Sequence, residues 1–153
     1  LENNMQHYVP KYFKLHEMLP YNFYMLHQRL GAYLWTICFD WRILWTGDRL
    51  RERWGTTICN DYSWGGNHRE RGLRTPDTTT GTVLSQHKFG RALDLKFKNI
   101  SAHEAREQIL GDPWGNDFKY ITCVEVGLAV TWLHLDVRNW DKNNRGILQV
   151  KNE

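Results

Sequence analysis

Apolar and polar residues recur along this chain with two different periods, and the change of period divides it into helical and extended parts. From Asn22 onward, Phe23, Leu26, Leu30, Tyr33, Leu34 and Ile37 follow at steps of three and four, which is one face of a helix, with Gly31 as a weak point. A second stripe, Ile43, Gly47, Leu50 and Trp54, comes after Asp40, a capping carboxylate, and before Gly55, a helix terminator. Arg49, Arg51, Glu52 and Arg53 read as the solvated face of that helix. Ser101-Ala-His-Glu104 is a capping box, which predicts a third helix over Ala102 to Leu110. Lys14 to Met18 reads as a short turn ended by Pro20, and residues 1–12 as a tail or an added strand.

Elsewhere the period is two. In Ser85 to Phe97 a polar turn carrying His87 passes through Gly90 into a strand, where Leu93, Leu95 and Phe97 alternate with Ala92, Asp94 and Lys96. Trp132 to Arg138 repeats this, with Leu133, Leu135 and Val137 on one face and His134, Asp136 and Arg138 on the other. Thr56 to Asn60 reads as a strand, Tyr120 to Val126 as the hairpin partner of Trp132 to Arg138, and Ile147 to Val150 as an edge strand. Asp61 to Gly81, with its glycines and threonines, is a long loop; because it runs into the His87 turn, we expect it to form a cleft wall. The architecture expected is α+β in a single domain, residues 1–153. Two N-terminal helices and one later helix pack on a small, mainly antiparallel sheet whose other face carries the polar residues.

If the two alternating strands share a sheet, Asp94 and His134 emerge on one side, and the turn lets His87 fold back toward them. Two histidines and an aspartate suit a borderline metal such as zinc, and three protein ligands leave a position open for water. The same residues also read as a polar turn, a solvated strand face and a satisfied histidine, and spacing alone favours that plainer reading.

Ser85-x-His87-x-x-Gly90-x-Ala92-x-Asp94 resembles the first motif of the zinc D-Ala-D-Ala carboxypeptidase family, and His134-Leu135-Asp136 is similar to its second. Gly72-Leu73-Arg74 sits where that family has a turn with a functional arginine. The resemblance covers about Phe13 to Trp140. It implies a fold shared with the signalling domain of Hedgehog proteins, and zinc held by His87, Asp94 and His134. It also implies hydrolysis of peptidoglycan stem peptides, of the DD-carboxypeptidase or the L-Ala–D-Glu endopeptidase type, with Arg74 holding a substrate carboxylate or the developing oxyanion. Phage members of the family are endolysins or virion-borne wall hydrolases. Thr131 stands where many members have a glutamate, so the general base must be another carboxylate. Glu125, on the preceding strand, and Asp136, two residues beyond His134, are the candidates, with Asp136 also able to orient a ligand or Arg138. The substitution at Thr131 equally suits a second reading, a catalytically silent wall-binding or virion module that keeps the zinc.

Bulk properties change this picture little. A net charge of +3 spread over the chain biases it mildly toward anionic partners such as a wall polymer, and is too weak for nucleic acid. Eight tryptophans are many for 153 residues, and some are expected to line a cleft. Cys38, Cys59 and Cys123 lack metal or disulfide spacing and read as reduced thiols. His68 and His103 read as surface histidines. The apolar run Leu30 to Phe39 is too short to span a bilayer, and no charged-then-apolar leader opens the chain. A monomer without membrane or nucleic-acid partners is expected, working in the cytoplasm of an infected host or in a virion.

Overall fold

Residues 7–127 and 129–151 are described by a computed structural model of the chain; expectations for residues 1–6, 128 and 152–153 lie outside this range. Five strands form one sheet: β1 (Thr57–Ile58), β2 (Ala92–Phe97), β3 (Cys123–Glu125), β4 (Leu133–Asp136) and β5 (Leu148–Val150). Their spatial order is β1-β2-β4-β3-β5, antiparallel throughout except for the β3–β5 pair. The helices are α1 (Leu15–Met18), α2 (Tyr21–His27), α3 (Tyr33–Cys38), α4 (Trp41–Trp54), α5 (Ala102–Gly111) and α6 (Lys142–Arg145). The α+β architecture is the expected one.

Alternation sets the inner face of the sheet. Leu93, Leu95, Leu133 and Leu135 are fully buried in one core with Ile43, Leu44 and Leu50 of α4 and Ala105 and Ile109 of α5. Each of the leucine and isoleucine side chains contributes about 1.5–3 kcal/mol of transfer free energy. Gly47 lets α4 approach the sheet, since a Cβ there would lie 3.3 Å from Leu93. Asp40 caps α4 by accepting from the Arg42 amide, and the Ser101–Glu104 capping box opens α5, both as the sequence implied.

The single helix expected from Asn22 is broken. Its chain forms α2, a 3-10 turn over Gln28–Leu30 and α3, separated at Gly31, whose φ is +57°. Only Leu34 of the predicted stripe is fully buried; Leu26, Leu30, Tyr33 and Ile37 are exposed, and Trp35 turns inward instead. The strands expected over Thr56–Asn60 and Tyr120–Val126 shrink to β1 and β3. Before α1, residues 8–12 lie on the domain. The Asp48 carboxylate, buried on α4, accepts from the Tyr8 hydroxyl at 2.6 Å and from the Lys11 and Tyr12 amides at 2.7 and 3.2 Å.

Two close backbone approaches then fix the segments around β2. Gly72 lies where a Cβ would stand 2.2 Å from the Met18 carbonyl, and the neighbouring Leu73 amide donates to that same carbonyl. Gly90, with φ +65°, ends the 3-10 turn Gln86–Phe89, and a Cβ on it would stand 1.9 Å from the Cys38 carbonyl. The Gly90 carbonyl in turn accepts from the amide of Asp40. Gly90→Ala therefore meets both a backbone clash and an unfavourable φ, and should cost about 2–4 kcal/mol. A thermal melt unchanged from wild type would contradict this packing.

Candidate metal centre

The outer face of the sheet is built from the same alternation. Asp94 pairs directly with His134 across the β2–β4 ladder, so both side chains leave the sheet on the side away from the leucines. His87 comes from the 3-10 turn before β2. All three are buried. Their atoms converge: His134 Nδ1 lies 2.9 Å from Asp94 Oδ1, and His87 Nε2 lies 3.2 Å from both.

Each imidazole is oriented by its other nitrogen. His87 Nδ1 lies 2.7 Å from the Gly72 carbonyl, which can only accept, so Nδ1 carries the hydrogen and Nε2 faces the cluster as a lone pair. His134 Nε2 donates to Asp136 Oδ2 at 3.1 Å, which leaves Nδ1 facing Asp94. Asp136 is itself held by the Arg138 amide, Nε and Nη2 at 3.1, 2.9 and 2.6 Å. A carboxylate behind a ligating histidine fixes the ring and raises its basicity.

The protonation states follow from these contacts. Burial disfavours the Asp94 charge, but His87 and His134 beside it outweigh this and hold its carboxyl well below the usual range. Burial lowers His87 against the pull of Asp94, and that imidazole is neutral. Burial also opposes charge on His134, yet its hydrogen bonds to Asp136 and Asp94 raise it to about 10. The two carboxylates thus favour the protonated form of His134, and a cation binding at its Nδ1 would displace that proton.

This donor set fits a divalent metal. Two nitrogens and a carboxylate oxygen converge with separations of 2.9–3.2 Å. Ligands of a tetrahedral ion at zinc–nitrogen distances sit about 3.3 Å apart, so the triangle needs to open by only a few tenths of an ångström. The buried group of His87, Asp94 and His134 could hold a metal ion.

A cleft of about 390 Å³ opens above Asp94 and His134, walled by Arg71, Arg74, Glu125, Thr131 and Trp132. Arg74 is buried, donates through Nε to the Glu70 carbonyl at 2.8 Å and through Nη2 to Asp94 Oδ2 at 3.2 Å. Burial lowers its pKa, with Asp94 acting in the opposite direction. Glu125 ends β3; extending the β3–β4 register by one residue sets it opposite His134. Asp136 is fully buried, is not among the residues lining the cleft, and contacts His134 and Arg138 as an orienting carboxylate would. The loop does form a cleft wall. His68, expected in solvent, packs edge-on to Trp132 at 4.7 Å, while Trp64 stays exposed and apart from the cleft. His103 is on the surface as expected.

Two residues at this site were missed. Arg71 lies 3.7 Å from Asp94 Oδ2 and 4.1 Å above the Trp132 ring; its only signal was its place before the Gly72-Leu73-Arg74 turn. Asn60 is buried, accepts from the Arg71 amide and donates to the Leu19 carbonyl, and so pins the loop to the end of α1. No pattern in the sequence marks it.

Comparison with protein-family models, with curated proteins and with solved structures gave no match for this chain. Among the described residues, no helix is long and apolar enough to cross a membrane.

One divalent ion per chain is expected, and His87→Ala or His134→Ala should abolish its binding. Asp136→Asn should keep the fold and weaken the metal by about 10–100-fold, since the carboxylate acts through His134. Competition with a chromogenic chelator measures both; wild-type affinity in Asp136→Asn would show that the carboxylate orients nothing.

Proposed function

We propose that this chain is a zinc peptidase acting on peptidoglycan stem peptides. The observation that carries the reading is the buried triangle of His87 Nε2, Asp94 Oδ1 and His134 Nδ1, of which Asp94 and His134 line a cleft that also holds Arg71, Arg74 and Glu125. The motif spacing around His87 and Asp94 supports it. Zinc suits two imidazoles and one carboxylate, and bound there it would supply Lewis acidity toward a scissile carbonyl and toward water.

The residues of the chain supply the rest. Glu125, in the cleft and beside His134 by register, takes the proton of the attacking water and passes it to the leaving amine. Thr131 also lines the cleft but has no acid–base chemistry near neutral pH. Arg71 and Arg74 give the cleft positive charge suited to the carboxylate of a stem-peptide residue or to the oxyanion formed from the carbonyl. Trp132, with Arg71 stacked on it, forms an apolar wall for a small side chain. The cleft charge does not choose between a terminal D-Ala bond and an L-Ala–D-Glu bond, because both place a carboxylate nearby. A phage endolysin or virion-borne hydrolase remains the setting we propose.

Thr131 also supports the second reading, a zinc-holding wall-binding module without turnover. Digestion of purified peptidoglycan with and without chelator, followed by mass spectrometry, separates the two. Chelator-sensitive release of peptide or D-Ala is expected; no release by zinc-loaded protein would leave the silent module.

Glu125→Gln should retain zinc and lose hydrolysis by on the order of a thousandfold, within the range of lost general-base catalysis. Full activity would remove it as the base. Arg74→Ala should reduce hydrolysis about a hundredfold or more. Because Arg74 also touches Asp94, zinc affinity measured in parallel separates lost substrate contact from lost support of the ligand.

A further inference from the structure

The eight tryptophans are unevenly used. Trp35 and Trp54 belong to the core and Trp132 to the cleft. Four others, Trp41, Trp45, Trp114 and Trp140, gather around Tyr120. Trp41 and Trp45 each meet the Tyr120 ring edge-on at 5.1 Å. Trp114 and Trp140 join Tyr120 in lining a pocket of about 180 Å³, room for about one sugar ring and too small for a drug-sized molecule. Trp114 is 53 % exposed, a large apolar surface left facing water.

The polar lining is as informative as the rings. Lys142 is only 4 % exposed, yet its ammonium enters the pocket wall 4.2 Å from the Trp114 ring. Two of its three N–H groups donate to the Phe118 and Lys119 carbonyls, at 3.2 and 3.1 Å, which leaves one donor for a ligand. Burial lowers its pKa to about 8, so it is cationic at neutral pH. Lys119 adds positive charge, while the Arg42 guanidinium is held by Asp40 at 2.6 Å; Asp141 is the one carboxylate among the lining residues, and Asn143 offers an exposed amide.

We propose that this pocket binds the glycan strand of the bacterial wall, with one pyranose ring stacked on Trp114 and a sugar carboxylate near Lys142. A pyranose has an apolar C–H face that fits an indole and a rim of hydroxyls that fits an amide and a carboxylate. A partner of lipid would find no broad apolar plane here, and a nucleic acid would need more than a single ring pocket. The choice of polymer rests on the wall-hydrolase reading above. Thr122 lines this pocket and Glu125 lines the cleft; three residues apart on an extended path they face opposite sides of the sheet, so this pocket is a site separate from the metal centre.

The test is binding, read without turnover. Glycan strands stripped of peptide by an amidase, with their lactyl carboxylates free, are titrated calorimetrically into the full chain in chelator. Saturable binding is expected, with affinity at least tenfold lower in Trp114→Ala and largely kept in Trp114→Tyr, which preserves a stacking ring. Chitotetraose, which has no carboxylate, should bind at least tenfold more weakly; equal affinity overturns the Lys142 contact. No saturable binding, unchanged affinity in Trp114→Ala, or tighter binding of anionic lipid vesicles or a nucleotide overturns the site. Because zinc is chelated and no hydrolysis is measured, failure here leaves the peptidase reading standing. Loss of that reading would likewise leave a positive binding result in place.

Discussion

The ionised carboxylate of Asp94, buried in the outer face of the sheet, is the constraint on which the site depends. An unpaired charge at that depth would cost several kcal/mol, so every group around it is part of the balance. Its two oxygens divide the work: Oδ1 meets His87 and His134, and Oδ2 meets Arg74 and, farther off, Arg71. Those partners come from the turn before β2, from β4 and from the loop ahead of the turn. Each segment must therefore be in place before the charge is satisfied. The β2–β4 register underlies all of this. A slip by one residue would turn His134 into the leucine core and bring Leu135 or Leu133 to face Asp94.

The loop that supplies the arginines is held by backbone contacts rather than by regular structure. The Asp94 amide donates to the Arg71 carbonyl, and the Arg74 amide donates to the His87 carbonyl. Asn60 and Gly72 fasten the same stretch to the end of α1 and to the residues following it. A site whose supporting groups are locked in this way keeps its ligand atoms in position before any metal arrives, which is what tight coordination requires. The wall opposite, with Glu125, Thr131 and Trp132, comes from the β3–β4 hairpin. His134 and the proposed base thus share a strand pair, while the substrate-facing cations come from the loop.

Aromatic residues mark a second division of labour. Where indoles pack into the leucine core they contribute area, as Trp54 does against Phe97 and Phe118. Around Tyr120 their rings face cations and open space instead, with Arg145 4.2 Å above Trp140 and Lys119 4.9 Å above Trp45. Stacked cations keep such rings ordered while exposed, at a gain of about 0.5–1 kcal/mol each. That arrangement suits recognition better than core packing.

Periodicity and end signals carried what is local. The alternation of Leu93, Asp94 and Leu95, and of Leu133, His134 and Leu135, already placed Asp94 and His134 on one face, because a strand has only two faces. Asp40 and Ser101 marked their helix starts, because a cap needs only its own first turn. The stripe from Phe23 to Ile37 misled for the complementary reason. Spacing shows that an apolar face exists, but not that a partner covers it, and Gly31 gave the chain freedom to break and turn Trp35 inward. The arrival of Arg71 at Asp94, the pinning of the loop by Asn60 and the grip of Asp48 on Tyr8 were all set by tertiary structure. Each joins groups that are near in space through hydrogen bonds or ion pairs. Several of these pairs lie tens of residues apart, and pattern within a short window of sequence has no access to such distances.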